Sequence, residues 1–186
     1  MNFELKGKRA IVSAGGSGIG RSIVSEFIKQ GVSVSTCDID KSLVRELKNK
    51  YPQIYAEVVD VADEKSVKEF CAKSIKFSGG LDFLVNNAGV AGPTLSIEEI
   101  NGADWSHCLN VCLSSQFYFV KYCLKHLRES TSASIVNLSS AAGQYGFAFR
   151  TPYASAKWGV IGLTKSLSIE LGKDKIRVNA ILPGLV

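Results

Sequence analysis

Tyr153 and Lys157 stand four residues apart in Tyr153-Ala154-Ser155-Ala156-Lys157, so on a helix both side chains project from one face. A phenol titrates near about 10 and is a poor acid or base at neutral pH. A neighbouring ammonium favours the ionised form of such a group. The pair can then exchange a proton with an oxygen whose carbon gains or loses a hydride. Ser140, 13 residues before Tyr153, adds a hydroxyl able to hold and polarise that oxygen. A Tyr-x-x-x-Lys pair alone is more often an exposed helix pair, so the reading depends on its surroundings.

Near the N-terminus, Ser13-Ala14-Gly15-Gly16-Ser17-Gly18-Ile19-Gly20 separates an apolar run from a helical stretch. Glycines let the backbone turn sharply and approach a ligand closely, and the free N–H groups of a helix start favour a pyrophosphate. The standard GxGxxG spacing is absent, and a glycine cluster alone is also a tight turn with no ligand. Asp38 lies 18 residues past Gly20 at the end of the second apolar run. A carboxylate at this offset accepts hydrogen bonds from a ribose diol and repels a 2′-phosphate. No Arg or Lys stands at Gly16, Ser17 or Ile39. This favours NAD(H) over NADP(H). The bland alternative is that Asp38 caps the next turn, although Asp40, before Lys41-Ser42-Leu43, is the better N-cap.

These residues need a frame. Short β-branched runs at Arg9–Ser13, Val32–Cys37, Tyr55–Val59, Leu81–Asn86, Ser134–Ser139 and Arg177–Leu182 alternate with stretches of helical spacing. The longest of these stretches runs from about Asp104 to Glu129 and the last from about Tyr153 to Leu171. The alternation predicts an α/β fold: a Rossmann-type, doubly wound parallel sheet with helices on both faces. Ligands in such sheets sit beyond the carboxyl ends of the strands. Composition agrees with a globular chain: of 186 residues 46% are hydrophobic, 21% are charged and only four are Pro. The net charge of +5 is scattered rather than clustered, which argues against nucleic acid. No apolar run is long enough to span a bilayer, and Met1–Lys6 lacks a signal-peptide core, which makes the cytoplasm the expected compartment. Five cysteines, without a CxxC, read as buried reduced thiols rather than a disulfide framework or a metal site.

Four further motifs stand at the ends of the later strands or beyond them: Asn86-Asn87-Ala88-Gly89, Ser139-Ser140-Ala141-Ala142-Gly143, Tyr153 to Lys157, and Asn179-Ala180-Ile181-Leu182-Pro183-Gly184. With the glycine loop, they make the whole chain resemble the short-chain dehydrogenase/reductase family. The resemblance implies NAD as cofactor and catalytic roles for Ser140, Tyr153 and Lys157, with Lys157 also holding the nicotinamide ribose. It further implies that Ser13, Ala14, Ser17, Gly18 and Ile19 form the pyrophosphate loop and that Asp38 takes the adenine-side ribose. Asp60 and Val61 would meet adenine, and Asn87, Ala88 and Gly89 would lie beside that ribose. Pro183 and Gly184 would back the nicotinamide, with Val186 at its carboxamide.

Three departures from the family stand out. Ala14 replaces the first glycine of the loop, which is harmless if its φ is negative. Cys112 occupies the place of an asparagine 28 residues before the serine, whose backbone carbonyl holds a relay water in the family. Asn110 cannot substitute, since two residues on a helix differ by roughly 200°. A carbonyl survives any side-chain change, so the relay can persist, while the amide that fixes a local helix distortion is lost. Finally, the resemblance implies a longer chain. The expectation is a single dinucleotide-binding domain over residues 1–186, truncated or untraced after Val186, with the C-terminal lid, helix and strand missing.

The implied function is an oxidoreductase that passes a hydride between NAD(H) and a secondary alcohol or ketone, with Tyr153 handling the proton. The alternative is a non-catalytic NAD(H)-binding sensor or scaffold, suggested by Cys112 and the short length. Gly143 to Phe147, with Ala91-Gly92-Pro93 opposite, form the expected substrate wall, where Gln144 and Tyr145 suggest polar recognition. The apolar stretch Trp105–Leu127 exceeds what one sheet face can cover, which implies a homo-oligomer, a dimer or homotetramer built on this helix and the Tyr153 helix.

Overall fold

A computed structural model describes residues 4–184. Six strands form one parallel sheet: β1 (Arg9–Ser13), β2 (Ser33–Asp38), β3 (Tyr55–Val58), β4 (Phe83–Asn86), β5 (Ser134–Leu138) and β6 (Arg177–Ile181). Their order is β3-β2-β1-β4-β5-β6, the doubly wound arrangement, with the chain reversing direction across the sheet between β1 and β4. The helices are α1 (Gly18–Lys29), α2 (Lys41–Lys50), α3 (Glu64–Ser78), α4 (Gly102–Leu109), α5 (Ser115–Arg128) and α6 (Thr151–Glu170).

Successive strand residues point to opposite faces, and the core divides accordingly. Ile11, Leu84, Ile135 and Val178 meet Phe70, Phe119, Cys123 and Leu127 from α3 and α5 on one face. Ala10, Val12, Val34 and Val85 meet Val24, Val44 and Leu47 from α1 and α2 on the other. Asp40 caps α2, accepting the Ser42 and Leu43 N–H groups at 2.7 and 3.4 Å.

The stretch expected as one long helix is α4 and α5 joined by a π-helical turn, Asn110–Ser114. One extra residue in that turn shifts register and changes which side chains face the sheet. Cys108 and Cys112 stay on one face, packed with Ala156 of α6. A buried polar chain fixes α6 against the sheet: Asn86 Nδ2 donates to Asn137 Oδ1 at 2.8 Å, and Asn137 Nδ2 to Thr164 Oγ1 at 2.9 Å. Among the described residues, no helix is long and apolar enough to cross a membrane.

Candidate active site

Three strand ends and one helix face converge. Ser140 follows β5 in extended conformation, and its Oγ accepts the Ala142 N–H at 3.2 Å. Pro152 lies in the first turn of α6, which its fixed φ suits, and the face of Ala156, Lys157, Val160 and Thr164 is buried. Tyr153 therefore stands at the edge of that face, one turn before Lys157. Ser140, Tyr153 and Lys157 line one cavity of about 380 Å³, with Ile19, Asn87, Gly89, Pro183 and Gly184 around it. Ser139, the neighbouring hydroxyl, is turned away: it is buried and donates to the Lys157 carbonyl at 2.8 Å.

Lys157 Nζ is buried at the base of this cavity. It donates to the Leu138 carbonyl at 2.8 Å and lies 5.6 Å from the centre of the Tyr153 ring. Burial lowers its pKa below the ordinary ammonium value, a shift only partly offset by the thiols of Cys112 and Cys108. A Cβ at Gly89 would sit 3.4 Å from Lys157 Nζ, so glycine keeps the approach to the ammonium open.

A second cavity, about 200 Å³, adjoins the first through Gly89 and Val90. Ala14, Ser17, Asp38, Asp60, Val61 and Ala88 line it. The Asp38 carboxylate is fixed by the N–H groups of Gly16 (2.9 Å) and Asp40 (3.1 Å), which aim it from the end of β2. A Cβ at Gly16 would come within 2.6 Å of Asp38 Oδ2, so only glycine fits there. Between the cavities lies the start of α1. Ser17 makes no side-chain cap there and the first turn holds no acid. By contrast, α2 and α3 are capped by Asp40 and Asp63. The uncapped N–H groups complement a pyrophosphate, and the cleft that runs past them from Asp38 to Lys157 fits an extended dinucleotide.

Most of the residues expected to bind cofactor thus lie along one cleft. Ser13 and Gly18 line neither cavity. Ser13 is buried, and its Oγ accepts the N–H groups of Asn87 and Ala88 at 2.9 and 3.1 Å, which sets the loop after β4. Val186 lies outside the described residues. Three expectations need correction. Ala14 has φ of 51°, in the left-handed region, so the condition under which alanine is harmless is not met. Gln144 faces a different groove, between α6 and β6 with Trp158 and Asn179. The helix distortion at Cys112 is present without an asparagine amide. The Cys112 carbonyl, expected to be open for a relay water, accepts Gln116 Nε2 at 3.1 Å; that amide also lies 3.4 Å from the Leu138 carbonyl.

Two polar lining residues escaped the sequence reading, His107 in the second cavity and Arg150 in the first, beside apolar ones such as Val90 and Val111. The signal for Arg150 was a cation three residues before Tyr153 at a helix start.

Comparison with known proteins agrees with this geometry. A 3-oxoacyl-(acyl-carrier-protein) reductase of Thermotoga maritima is 36% identical over 188 residues, covering 99% of this chain and 76% of that protein. The crystal structure of a levodione reductase superposes with a TM-score of 0.91 at 30% identity, over 96% of this chain and 72% of that one. That of an NAD+-bound xylitol dehydrogenase also gives 0.91, at 26% identity, over 97% and 71%. The sequence profile described as short chain dehydrogenase matches residues 8–186. The chain belongs to the short-chain dehydrogenase family of oxidoreductases, which bind a nicotinamide cofactor.

Proposed function

We propose that this protein is an NAD(H)-dependent oxidoreductase that interconverts a secondary alcohol and a ketone. The convergence of Ser140, Tyr153 and Lys157 on one cavity carries the reading. The phenol of Tyr153 gives a proton to the substrate oxygen in reduction and takes it back in oxidation. The Ser140 hydroxyl, held toward the cavity by its place after β5, donates to the same oxygen and fixes its distance from Tyr153. The Lys157 ammonium keeps one hydrogen on the Leu138 carbonyl and has others for the phenol and a ribose diol. When bound, the nicotinamide supplies or takes up the hydride at the carbinol carbon. Asp38 favours NAD(H), since its anchored carboxylate accepts from a ribose diol and repels a 2′-phosphate. The NAD+-bound state of the xylitol dehydrogenase relative is in line with this choice.

The same proposal takes residues 1–186 as a single dinucleotide-binding domain. It also takes the protein as a dimer or tetramer joined through α5 and α6, where Phe117 and Trp158 are 47% and 52% exposed. The five cysteines are free and buried, which suits a reducing compartment such as the cytoplasm.

Tyr153→Phe tests the reading. NADH-linked turnover on a panel of alcohols and ketones should fall by at least about 1000-fold, while NADH binding, read by fluorescence titration, persists. Retained turnover would overturn the assignment.

A further inference from the structure

The catalytic cavity holds a second cation besides Lys157. Arg150, the residue before α6, lines the same cavity as Ser140 and Tyr153. Its Nε and Nη2 both donate to the Ala91 carbonyl, at 3.1 and 2.8 Å, and so tie the loop after β4 to the start of α6. The guanidinium carbon lies 5.7 Å from the centre of the Phe147 ring and 5.4 Å from that of Tyr153. Two rings and one carbonyl therefore hold the group in place. Phe149, immediately before it, has φ of 61°, a conformation that a bulky residue adopts only when its surroundings impose it. Its carbonyl is fixed by the Leu95 N–H at 3.1 Å.

What this cation lacks is an acid. Arg9, Arg21 and Arg128 each pair with Asp or Glu, whereas Arg45, Arg150 and Arg177 form no ion pair among the described residues, and of these three Arg150 alone lines the catalytic cavity. Among the described residues, no carboxylate lies within ion-pair distance of Arg150. Its Nε and one Nη2 hydrogen face Ala91, which leaves the Nη1–Nη2 edge of the fork. That edge matches the two oxygens of a carboxylate.

We propose that Arg150 is a specificity-determining residue that receives the carboxylate of the substrate, and that the substrates are short-chain 2-oxo or 3-oxo acids and the corresponding hydroxy acids. The inference rests on the oxidoreductase reading above. The guanidinium stands so close to the Tyr153 ring that the carboxylate must lie within a few carbons of the carbinol carbon. A neutral polyol or sterol offers this cation no counter-charge.

The test is NADH-linked reduction of 2-oxobutanoate, 3-oxobutanoate and their methyl esters by the wild-type protein, Arg150→Gln and Arg150→Lys. The readout is the ratio of kcat/KM for acid over ester. It should exceed about 10 in the wild type, fall close to about 1 in Arg150→Gln, and recover in part in Arg150→Lys. Butanoate should inhibit the wild type competitively against the ketone, and Arg150→Gln at least about 10-fold more weakly. A structural role alone would lower acid and ester together and leave the ratio unchanged, and thermal melting of each variant checks that it folds. A wild-type ratio near 1, no reduction of either acid, or an unchanged ratio in Arg150→Gln overturns the inference. Those outcomes leave the oxidoreductase reading standing if any carbonyl compound is reduced in a Tyr153-dependent way. If none is, both fall.

Discussion

The thiol of Cys112 and the backbone of Val90 form a closed pair: Sγ accepts the Val90 N–H at 3.3 Å and donates to the Val90 carbonyl at 3.4 Å. A single atom thus both donates and accepts, the two functions an amide side chain combines. It ties the π-helical turn to the loop after β4, which borders both cavities. Cys112 is therefore poor support for a non-catalytic protein. Cys112→Ala should lower stability by about 1–2 kcal/mol in denaturant unfolding, through two lost bonds and a small cavity. Cys112→Asn should keep kcat within about 10-fold of wild type. A gain above about 100-fold would mean that the natural residue breaks proton relay.

Ala14 carries the left-handed backbone that a glycine would adopt without strain. The Asn87 amide holds its carbonyl at 2.9 Å, which fixes the strained geometry. Ala14→Gly should therefore raise stability by about 0.5–1 kcal/mol, the relief of left-handed strain less the added freedom of the unfolded chain. Thermal unfolding measures it; a loss of stability would show that the methyl group packs usefully.

The proposed NAD(H) preference rests on Asp38, which makes it the position at which to test cofactor choice. Asp38→Asn keeps the size and removes the charge, but its single amide oxygen can accept from only one of the Gly16 and Asp40 N–H groups, which now meet separate carboxylate oxygens. The preference for NADH over NADPH, as a ratio of kcat/KM, should fall by about 10- to 100-fold. An unchanged ratio would place the discrimination elsewhere.

Lys157 gives a pH dependence with a defined sign. Burial lowers its pKa on folding from the ordinary 10.5. The unfolded chain therefore binds more protons between the lowered value and 10.5, and stability rises with pH across that window. Below the lowered value, the full desolvation penalty of the charge is present. Lys157→Met should lose activity by more than about 100-fold yet melt higher than wild type at neutral pH. The Leu138 carbonyl keeps the Gln116 amide as a partner in this variant. The stability gap should narrow as pH climbs toward 10.5; a gap independent of pH would mean that packing, not charge, causes it.

Much of the site is legible in the sequence because its geometry is local. The four-residue spacing of Tyr153 and Lys157 fixes a shared helix face whatever the fold. The glycine loop declares a strand-to-helix turn, and β-branched runs with helical stretches between them can be satisfied only by a covered parallel sheet. Asp40 announces its helix start in the same way.

What the sequence by itself determined is this local and periodic content: the α/β order, the doubly wound sheet, and the residue types at the strand ends. The tertiary structure alone decided the relationships between residues far apart in the chain. The Ser13 hydroxyl sets Asn87 and Ala88 across the β1–β4 pairing, where a serine and an asparagine loop carry no mark of each other. Cys112, within the π-helical turn, meets Val90, 22 residues away in the chain. Arg150 meets Ala91, 59 residues away, because α6 and the loop after β4 end at the same rim of the sheet. Spacing encodes direction along one element; which elements meet depends on how both faces of the sheet bury their apolar residues, and that is a property of the whole chain.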